Sequence, residues 1–243
     1  MLTHIIGRFA IMISRIFFIF YLTISLVYAQ EAQHKKYKTV NPKVIKLTAD
    51  RWCPYNCEPN TAQEGYMIDI AREIYESLGY TVQYQLNNWS RAVKNVREGN
   101  QTAVIGALKG DAEDFIFPDE NIGYSSTSLW KNNDSNYEYH QLSDLDDINI
   151  GLIQSYSYGD TFDHYVKENN LQNLQYITGV NALGRNIQRL LLGRVDLLVE
   201  DESVMKFHLN KHTVKKKVTF AGKISDEAIF VAFSPKLMHS PLL

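Results

Sequence analysis

The feature that most constrains the fold is an alternation of strand and helix patterns that runs β-α-β-α-β and then restarts. In the first half, apolar strand patterns at residues 44–47, 82–86 and 102–108 alternate with amphipathic helical patterns at residues 67–78 and 89–96. Strands that alternate with helices are typical of a sheet with helices packed on its faces. The first half of the chain is therefore predicted to form an α/β unit.

The same rhythm restarts after a polar stretch at residues 131–139. Strand and helical patterns alternate again and end in an apolar strand pattern; they lie at residues 148–153, 162–166, 174–177, 183–191, 195–199 and 228–233. No repeat with a short period is visible, which argues against a solenoid. Two successive units predict two similar α/β lobes.

The N-terminal segment has the pattern of a secretory signal peptide. Arg8 and Arg15 precede an uncharged run at residues 16–27, and Ala29 offers a small residue for cleavage. The run has 12 residues, fewer than the roughly 20 needed to cross a bilayer; an uncleaved membrane anchor is the alternative. We expect residues 1–29 to be a cleaved signal peptide, residues 30–42 to be a flexible lead-in, and the mature protein to be periplasmic.

The charge of the mature chain argues against nucleic acid as a partner. The full sequence of 243 residues has a net charge of -2, and removal of Arg8 and Arg15 leaves 23 basic against 27 acidic residues, or -4. A mildly acidic exported protein is poorly suited to bind phosphate backbones.

Two cysteines, Cys53 and Cys57, lie four positions apart in one short segment. In an oxidising compartment such a pair is predicted to form a local disulfide that fixes the shape of one loop. A thioredoxin-type redox site uses two intervening residues where this segment has three, and a zinc site would need two further ligands. His208 and His212 also lack a third ligand, so no metal and no cofactor are expected.

Candidate ligand-binding residues follow the strands, because open α/β sheets bind ligands beyond the carboxyl ends of their strands. Trp52 and Tyr55 follow the first strand, Trp89 lies between the second strand and its helix, and Lys109 follows the third. Aromatic walls with a few placed polar groups are typical of a small-molecule site. The alternatives are that Trp89 anchors the core of its lobe and that Lys109 is simply solvated.

The second lobe contributes a polar segment and an acid. Ser155, Tyr156 and Ser157 follow a strand and open a helix, where hydroxyl and backbone N–H groups could hold an anionic or carbonyl group. Asp201 follows the last strand of that lobe and could pair with a ligand amine. Asp201 could equally cap the next helix, and Ser155 and Ser157 are favoured at helix starts whatever the ligand. No catalytic constellation is evident, so no catalytic residue is assigned.

Four short motifs occur in an order found in one known family. Residues 50–55 (Asp-Arg-Trp-Cys-Pro-Tyr) match its loop after the first strand, and residues 65–70 (Gly-Tyr-Met-Ile-Asp-Ile) match the start of its first helix. Residues 89–92 (Trp-Ser-Arg-Ala) match a Trp-x-Arg segment, and residues 192–196 match a Gly-Arg-x-Asp strand that ends in an acid. The sequence thus resembles the bacterial family 3 extracellular solute-binding proteins.

This resemblance extends over about residues 43–235 and implies a type II periplasmic binding protein, with two lobes, two hinge strands and an interlobe ligand cleft. Lobe 1 is then expected to comprise residues 43–130 and 225–243, and lobe 2 residues 131–224. The implied function is capture of a small polar solute, amino-acid-like or related, for the membrane permease of an ABC transporter. We therefore expect a monomeric binding protein and not an enzyme.

Two departures from the family pattern bear on these expectations. Amino-acid binders of the family carry an Arg shortly after the third strand that grips the ligand carboxylate, whereas residues 109–114 read Lys-Gly-Asp-Ala-Glu-Asp. Either Lys109 replaces that Arg or the ligand lacks a carboxylate. The family also continues past residues 228–233 with a further helix, so we expect a truncated reading of a longer gene, whose first lobe exposes an apolar patch.

Two other function classes stay open at this point. Some relatives of the family are dehydratases, and Glu200, Asp201 and Lys109 would be the acid–base groups of such an enzyme. The third reading is a sensory input module that acts through a separate partner. Turnover of a bound compound would distinguish the enzyme from a binding protein.

Overall fold

A computed structural model describes residues 44–211 and 217–237, and the fold is given for these residues. The expected signal peptide, the lead-in, His212 and the residues from 238 onward lie outside this part. The strands are β1 (Val44–Ala49), β2 (Thr81–Leu86), β3 (Ala103–Ala107), β4 (Gly123–Asn132), β5 (Ile150–Ile153), β6 (Leu174–Ile177), β7 (Leu197–Asp201) and β8 (Val218–Phe233). The helices are α1 (Tyr66–Ser77), α2 (Trp89–Arg97), α3 (Asp160–Asn169), α4 (Ala182–Leu191) and α5 (Glu202–Lys211).

The described strands form one mixed sheet in the order β2-β1-β3-β8-β4-β7-β5-β6. At one end, β1 runs parallel to β2 and β3, and at the other end β5 runs parallel to β6 and β7. The long strands β4 and β8 pair antiparallel with each other and connect the two ends. We call the part built on β1, β2 and β3 the first lobe and the part built on β5, β6 and β7 the second lobe.

Each lobe has an apolar core on both faces of its strands, because successive side chains of a strand point to opposite faces. In the first lobe, Ile105 clusters with residues of α1, and its neighbour Val104 clusters with residues of α2. In the second lobe, Leu197 clusters with a residue of α3, and its neighbour Leu198 clusters with residues of α4 and α5. The α/β prediction from the repeated rhythm is therefore confirmed for both halves.

The two long strands depart most from the prediction. β4 escaped the sequence patterns because four consecutive residues, 125–128, are Ser or Thr, so the strand lacks an apolar alternation. β8 extends the predicted strand at residues 228–233 back to Val218, through a segment that also contains Gly, Lys, Ser and two acids. The sequence predicts lobe boundaries at 130/131 and 224/225, which fall inside β4 and β8. These boundaries stay a prediction.

No helix of the described residues combines the length and the apolar character needed to cross a membrane.

The start of α1 is held against the loop that follows β1 by a glycine. Gly65 has φ +106°, and a Cβ atom there would lie 2.2 Å from the carbonyl oxygen of Tyr55. This close approach lets Met67 N–H donate to Tyr55 O at 3.3 Å and Tyr66 N–H donate to Pro54 O at 3.1 Å. Gly65 therefore fixes how the loop with Trp52 and Tyr55 sits on the helix.

We expect Gly65→Ala to destabilise the protein far more than Gly79→Ala. Both glycines have positive φ, which costs an alanine roughly 1–2 kcal/mol, but a Cβ at Gly79 would meet no atom within 4 Å. The collision at Gly65 adds an overpacking cost of about 1–3 kcal/mol or more. Urea denaturation of both variants measures the difference, and equal losses in the free energy of unfolding would contradict this account of the loop.

Candidate functional site

The loop after β1 carries two aromatic side chains into the space between the lobes. Cys53 and Cys57 form the predicted disulfide, which closes this loop. Trp52 N–H donates to Asn56 O at 2.8 Å, and Asn56 Nδ2 donates to Ile105 O at 3.1 Å, which ties the loop to β3. The rings of Trp52 and Tyr55 then lie side by side, with centroids 4.4 Å apart.

Asp201 is the last residue of β7, not the residue after it, and it is the most completely hydrogen-bonded acid of the site. Its Oδ2 accepts from Tyr55 OH at 3.1 Å, Ser125 Oγ at 3.0 Å and Ser126 N–H at 2.8 Å. Its Oδ1 accepts from Val204 N–H at 2.9 Å, near the start of α5. Burial raises the pKa of Asp201, although these hydrogen bonds oppose the shift. The capping role is thus present, and contact with a ligand amine stays a prediction.

Glu200 lies beside Asp201, and one of its carboxylate oxygens has no partner. Oε1 accepts from Trp52 Nε1 at 2.9 Å and from Asp201 N–H at 2.9 Å. Oε2 is buried without a hydrogen bond, and the residue is only 2% exposed. Burial raises the pKa of Glu200 to about 8, and the nearby charges of Asp201 and Asp50 add to the shift.

Asp111 connects the two lobes through its carboxylate. Oδ1 accepts from Trp89 Nε1 at 3.0 Å and from Ser157 N–H at 2.8 Å, and Oδ2 accepts from Leu108 N–H at 2.8 Å. Burial raises the pKa of Asp111 to about 7, against these hydrogen bonds. Trp89 is a core residue of its lobe and a donor at the cleft, and its contact with a ligand stays a prediction.

A second pair of lobe-to-lobe contacts comes from the segment after β5. Tyr156 OH donates to Asp50 Oδ2, and Ser90 Oγ donates to Ser155 Oγ at 2.9 Å. Burial raises the pKa of Asp50 to about 6, although the hydrogen bond from Tyr156 lowers it. Trp52, Trp89, Tyr156, Ser157 and Asp201, among the residues predicted from strand ends, therefore lie around one cleft.

Two connected cavities occupy this cleft. The inner cavity, of about 30 Å³, is lined by Asp50, Trp52, Trp89, Gly106, Leu108, Asp111, Ser125, Thr127, Tyr156, Ser157, Tyr158, Glu200 and Asp201. The outer cavity, of about 350 Å³, shares Asp50, Trp52, Tyr156 and Glu200 with it and adds Arg51, Cys53, Ile153, residues 179–183, Val204, Phe207, His208 and Lys211.

Three predicted residues line neither cavity. Tyr55 reaches the cleft through its hydrogen bond to Asp201, and Ser155 is exposed and contacts Ser90. Lys109 is exposed, and its Nζ lies 5.4 Å from the centroid of the Phe230 ring. Their roles toward a ligand stay predictions.

Two lining acids, Asp50 and Asp111, were not among the predicted site residues, and Glu200 was named only as an acid–base group of the alternative enzyme. Asp50 directly follows β1 and Glu200 is the next-to-last residue of β7, so a position at a strand end is the signal that could have found these two; Asp111 comes four residues after β3. Within residues 44–211 and 217–237, no group of three or more His, Cys, Asp or Glu side chains is arranged to hold a metal ion.

The comparison with protein families agrees with the geometry. Residues 44–137 match the family model of the bacterial extracellular solute-binding proteins, family 3. Over these residues, which are fewer than half of the chain, the sequence is similar to that family. No curated protein matches the sequence.

Solved structures share the fold of most of this chain. An ancestral arginine-binding protein bound to arginine has 18% identity and a TM-score of 0.67, over 83% of this chain and 88% of its own. A histidine kinase sensor domain with similarity to periplasmic binding proteins has 17% identity and a TM-score of 0.67, over 79% and 82%. An ancestral amino acid-binding protein, a precursor of cyclohexadienyl dehydratase, has 18% identity and a TM-score of 0.59, over 79% and 81%. The predicted two-lobed fold is confirmed.

We expect Asp201→Asn to lower the free energy of unfolding by about 2–3 kcal/mol, because an amide replaces one acceptor oxygen and leaves a buried donor unpaired. The neighbouring Glu202→Gln variant is the matched control, since Glu202 only pairs with Lys206 near the surface of α5 and surface pairs contribute about 0–1 kcal/mol. Urea denaturation without added solute measures both variants. Similar stabilities of the two variants would show that Asp201 does not organise the cleft.

We expect the ligand-free protein to lose stability as the pH rises from 5 to 8. The pKa values of Asp50, Asp111 and Glu200 are raised to about 6, 7 and 8 in the folded protein. The folded state therefore binds more protons than the unfolded state over this range, and stability falls as these groups ionise. For each group that is protonated in the folded state and ionised in the unfolded state, the free energy of unfolding falls by about 1.4 kcal/mol per pH unit.

Melting curves at pH 5, 6.5 and 8 test this expectation, with a predicted fall in Tm of at least about 3 °C. The Glu200→Gln variant should show a smaller fall because one of the three titrating groups is gone. A flat or rising Tm in the wild-type protein would contradict the burial of these acids in the ligand-free state.

Proposed function

We propose that this protein is a periplasmic solute receptor that captures a small polar solute between its lobes and delivers it to the membrane permease of an ABC transporter. The observation that carries the proposal is the set of contacts that join both lobes around one cavity. Three hydrogen bonds cross the cleft, and they join Trp52 to Glu200, Ser157 to Asp111 and Tyr156 to Asp50. A ligand held there would contact both lobes at once and favour their closed arrangement.

The cleft has the chemistry of a small-molecule site. Trp52, Trp89 and Tyr156 supply aromatic walls, and the carboxylates and Ser157 supply directional polar groups. Binding proteins that resemble this chain have amino acids as their ligands, which supports an amino-acid-like solute. The remaining parts of the proposal are a cleaved signal peptide at residues 1–29, a monomeric state and the absence of nucleic acid from its partners.

One observation favours an enzyme as a second candidate. The raised pKa of Glu200, about 8, keeps its carboxyl group largely protonated at neutral pH, which suits a general acid. The precursor of cyclohexadienyl dehydratase shares the fold. Product analysis after prolonged incubation of a bound compound separates the candidates, since a receptor returns the compound unchanged.

We expect a bound solute to raise the Tm of the protein in a screen of amino acids, amines and small oligosaccharides. A ligand at 100 times its Kd adds about 2.7 kcal/mol to the free energy of unfolding, which corresponds to roughly 5–10 °C for a chain of this size. Titration calorimetry then gives the affinity of each solute that raises the Tm.

Trp52→Ala should weaken binding of such a solute at least about tenfold, because the ring lines both cavities and its N–H holds Glu200. Tyr176→Ala is the matched aromatic control, since Tyr176 is 48% exposed on β6 and lines neither cavity. Equal affinities of the two variants would place the ligand elsewhere, and a screen without any binding solute would refute the receptor function.

A further inference from the structure

The inner cavity has an unusual balance of charge. Its lining contains four carboxylates, Asp50, Asp111, Glu200 and Asp201, and neither Lys nor Arg is among its lining residues. A buried carboxylate is costly unless a donor or a cation compensates it. The cavity therefore favours a positively charged occupant.

The hydrogen bonds of these acids single out one atom. Both oxygens of Asp201 and both oxygens of Asp111 accept from the protein, and Asp50 accepts from Tyr156. Glu200 Oε2 has no partner, although the residue is 2% exposed and lines both cavities. This oxygen is buried without a partner, whereas Asp201 and Asp111 have both carboxylate oxygens engaged.

The sizes of the two cavities limit the group that can reach this oxygen. The inner cavity, at about 30 Å³, has room for a group about as large as one water molecule. An ammonium group has that size and three donors, whereas a guanidinium is larger and planar. The outer cavity of about 350 Å³ shares Trp52 and Tyr156 with it, so the rest of a ligand has space beside aromatic rings.

The same lining disfavours a carboxylate next to the ammonium group. An α-carboxylate would lie one carbon away, among Asp50, Asp111 and Asp201, with no lining cation to receive it. The basic side chains Arg51, His208 and Lys211 line the outer cavity and not the inner one. Like charges held close in a water-poor site repel strongly, so the position of a carboxylate on the ligand decides whether the ligand fits.

From this arrangement we propose that the cleft binds a primary amine whose amine-bearing carbon carries no carboxylate. Its ammonium group occupies the inner cavity and donates to Glu200 Oε2, and its chain extends into the outer cavity. A negative group at the far end is accepted there beside Arg51 and Lys211. This inference rests on the proposed receptor function and specifies the solute class that the receptor takes.

Titration calorimetry with four five-carbon probes tests the class of ligand. In pentan-1-amine and 5-aminopentanoate, the amine-bearing carbon carries no carboxylate. In L-2-aminopentanoate the same carbon carries both groups, and pentanoate has no amine. We expect the first two probes to bind, L-2-aminopentanoate to bind at least tenfold more weakly than 5-aminopentanoate, and pentanoate to give no heat of binding. Equal or tighter binding of L-2-aminopentanoate or pentanoate overturns the proposal.

Two variants, each of which replaces one carboxylate by an amide, test whether Glu200 accepts from the ammonium group of the ligand. Glu200→Gln keeps an acceptor for Trp52 but cannot take the negative charge that a bound ammonium group favours on Glu200, and we expect it to weaken binding of 5-aminopentanoate at least tenfold. Glu202→Gln removes a carboxylate two residues away on α5, outside both cavities, and should leave the affinity unchanged. Circular dichroism and Tm confirm that each variant is folded, and an unchanged affinity in folded Glu200→Gln overturns the role of Glu200.

The outcomes separate this inference from the receptor function itself. If none of the four probes binds but another solute of the broader screen does, the amine class is wrong and the receptor function stands. If no solute of the broader screen binds, both proposals fail together.

Discussion

The arrangement of the cleft depends on the hydrogen bonds of one buried carboxylate, that of Asp201. It holds Tyr55 from the loop after β1, two residues of β4 and the first turn of α5, so that three separate segments meet at one side chain. Each of those donors would otherwise be left in a place that water hardly reaches, which costs more than the bond itself contributes. The order of the site therefore follows from satisfying one acid with four donors.

Strand geometry explains why the next residue behaves so differently. Glu200 and Asp201 are neighbours in β7, and side chains alternate between the faces of a strand. Both acids line the inner cavity, but both oxygens of Asp201 accept from protein donors, whereas Glu200 also lines the outer cavity and keeps one oxygen without a partner. Of these two adjacent acids, Asp201 holds the surrounding segments together, and Glu200 presents an unpartnered oxygen.

The sequence predicted those parts of the fold that rest on local periodicity. The alternation of strands and helices was visible because helical faces such as that of α2 repeat apolar residues, and because Asn88 caps that helix by accepting from Arg91 N–H at 3.0 Å. β4 was invisible because three of its buried residues, Ser125, Thr127 and Ser128, are polar, and the strand is defined by its pairing with β7 and β8. Tertiary pairing can bury Ser and Thr that no pattern marks as a strand.

The same distinction applies to the site. Position after a strand identified Trp52, Trp89, Tyr156 and Asp201, since strand ends converge at one edge of a sheet. The roles of Asp50 and Asp111 depend on partners about 106 and 46 positions away in the chain, and no local signal reports such partners. Lys109 shows the converse, because it follows a strand and yet packs over Phe230, away from both cavities.

In this cleft, the contacts between the lobes also determine how the charge of a ligand is recognised. The contacts between the lobes bury Asp50, Asp111 and Glu200, and this burial raises the pKa of each. A ligand shifts the equilibrium between open and closed arrangements only by the difference in its affinity for the two. Under the proposed receptor function, a cation beside Glu200 offsets the cost of burying this acid, and that cost arises when the lobes close. Such a ligand acts on closure through the charge that closure buries.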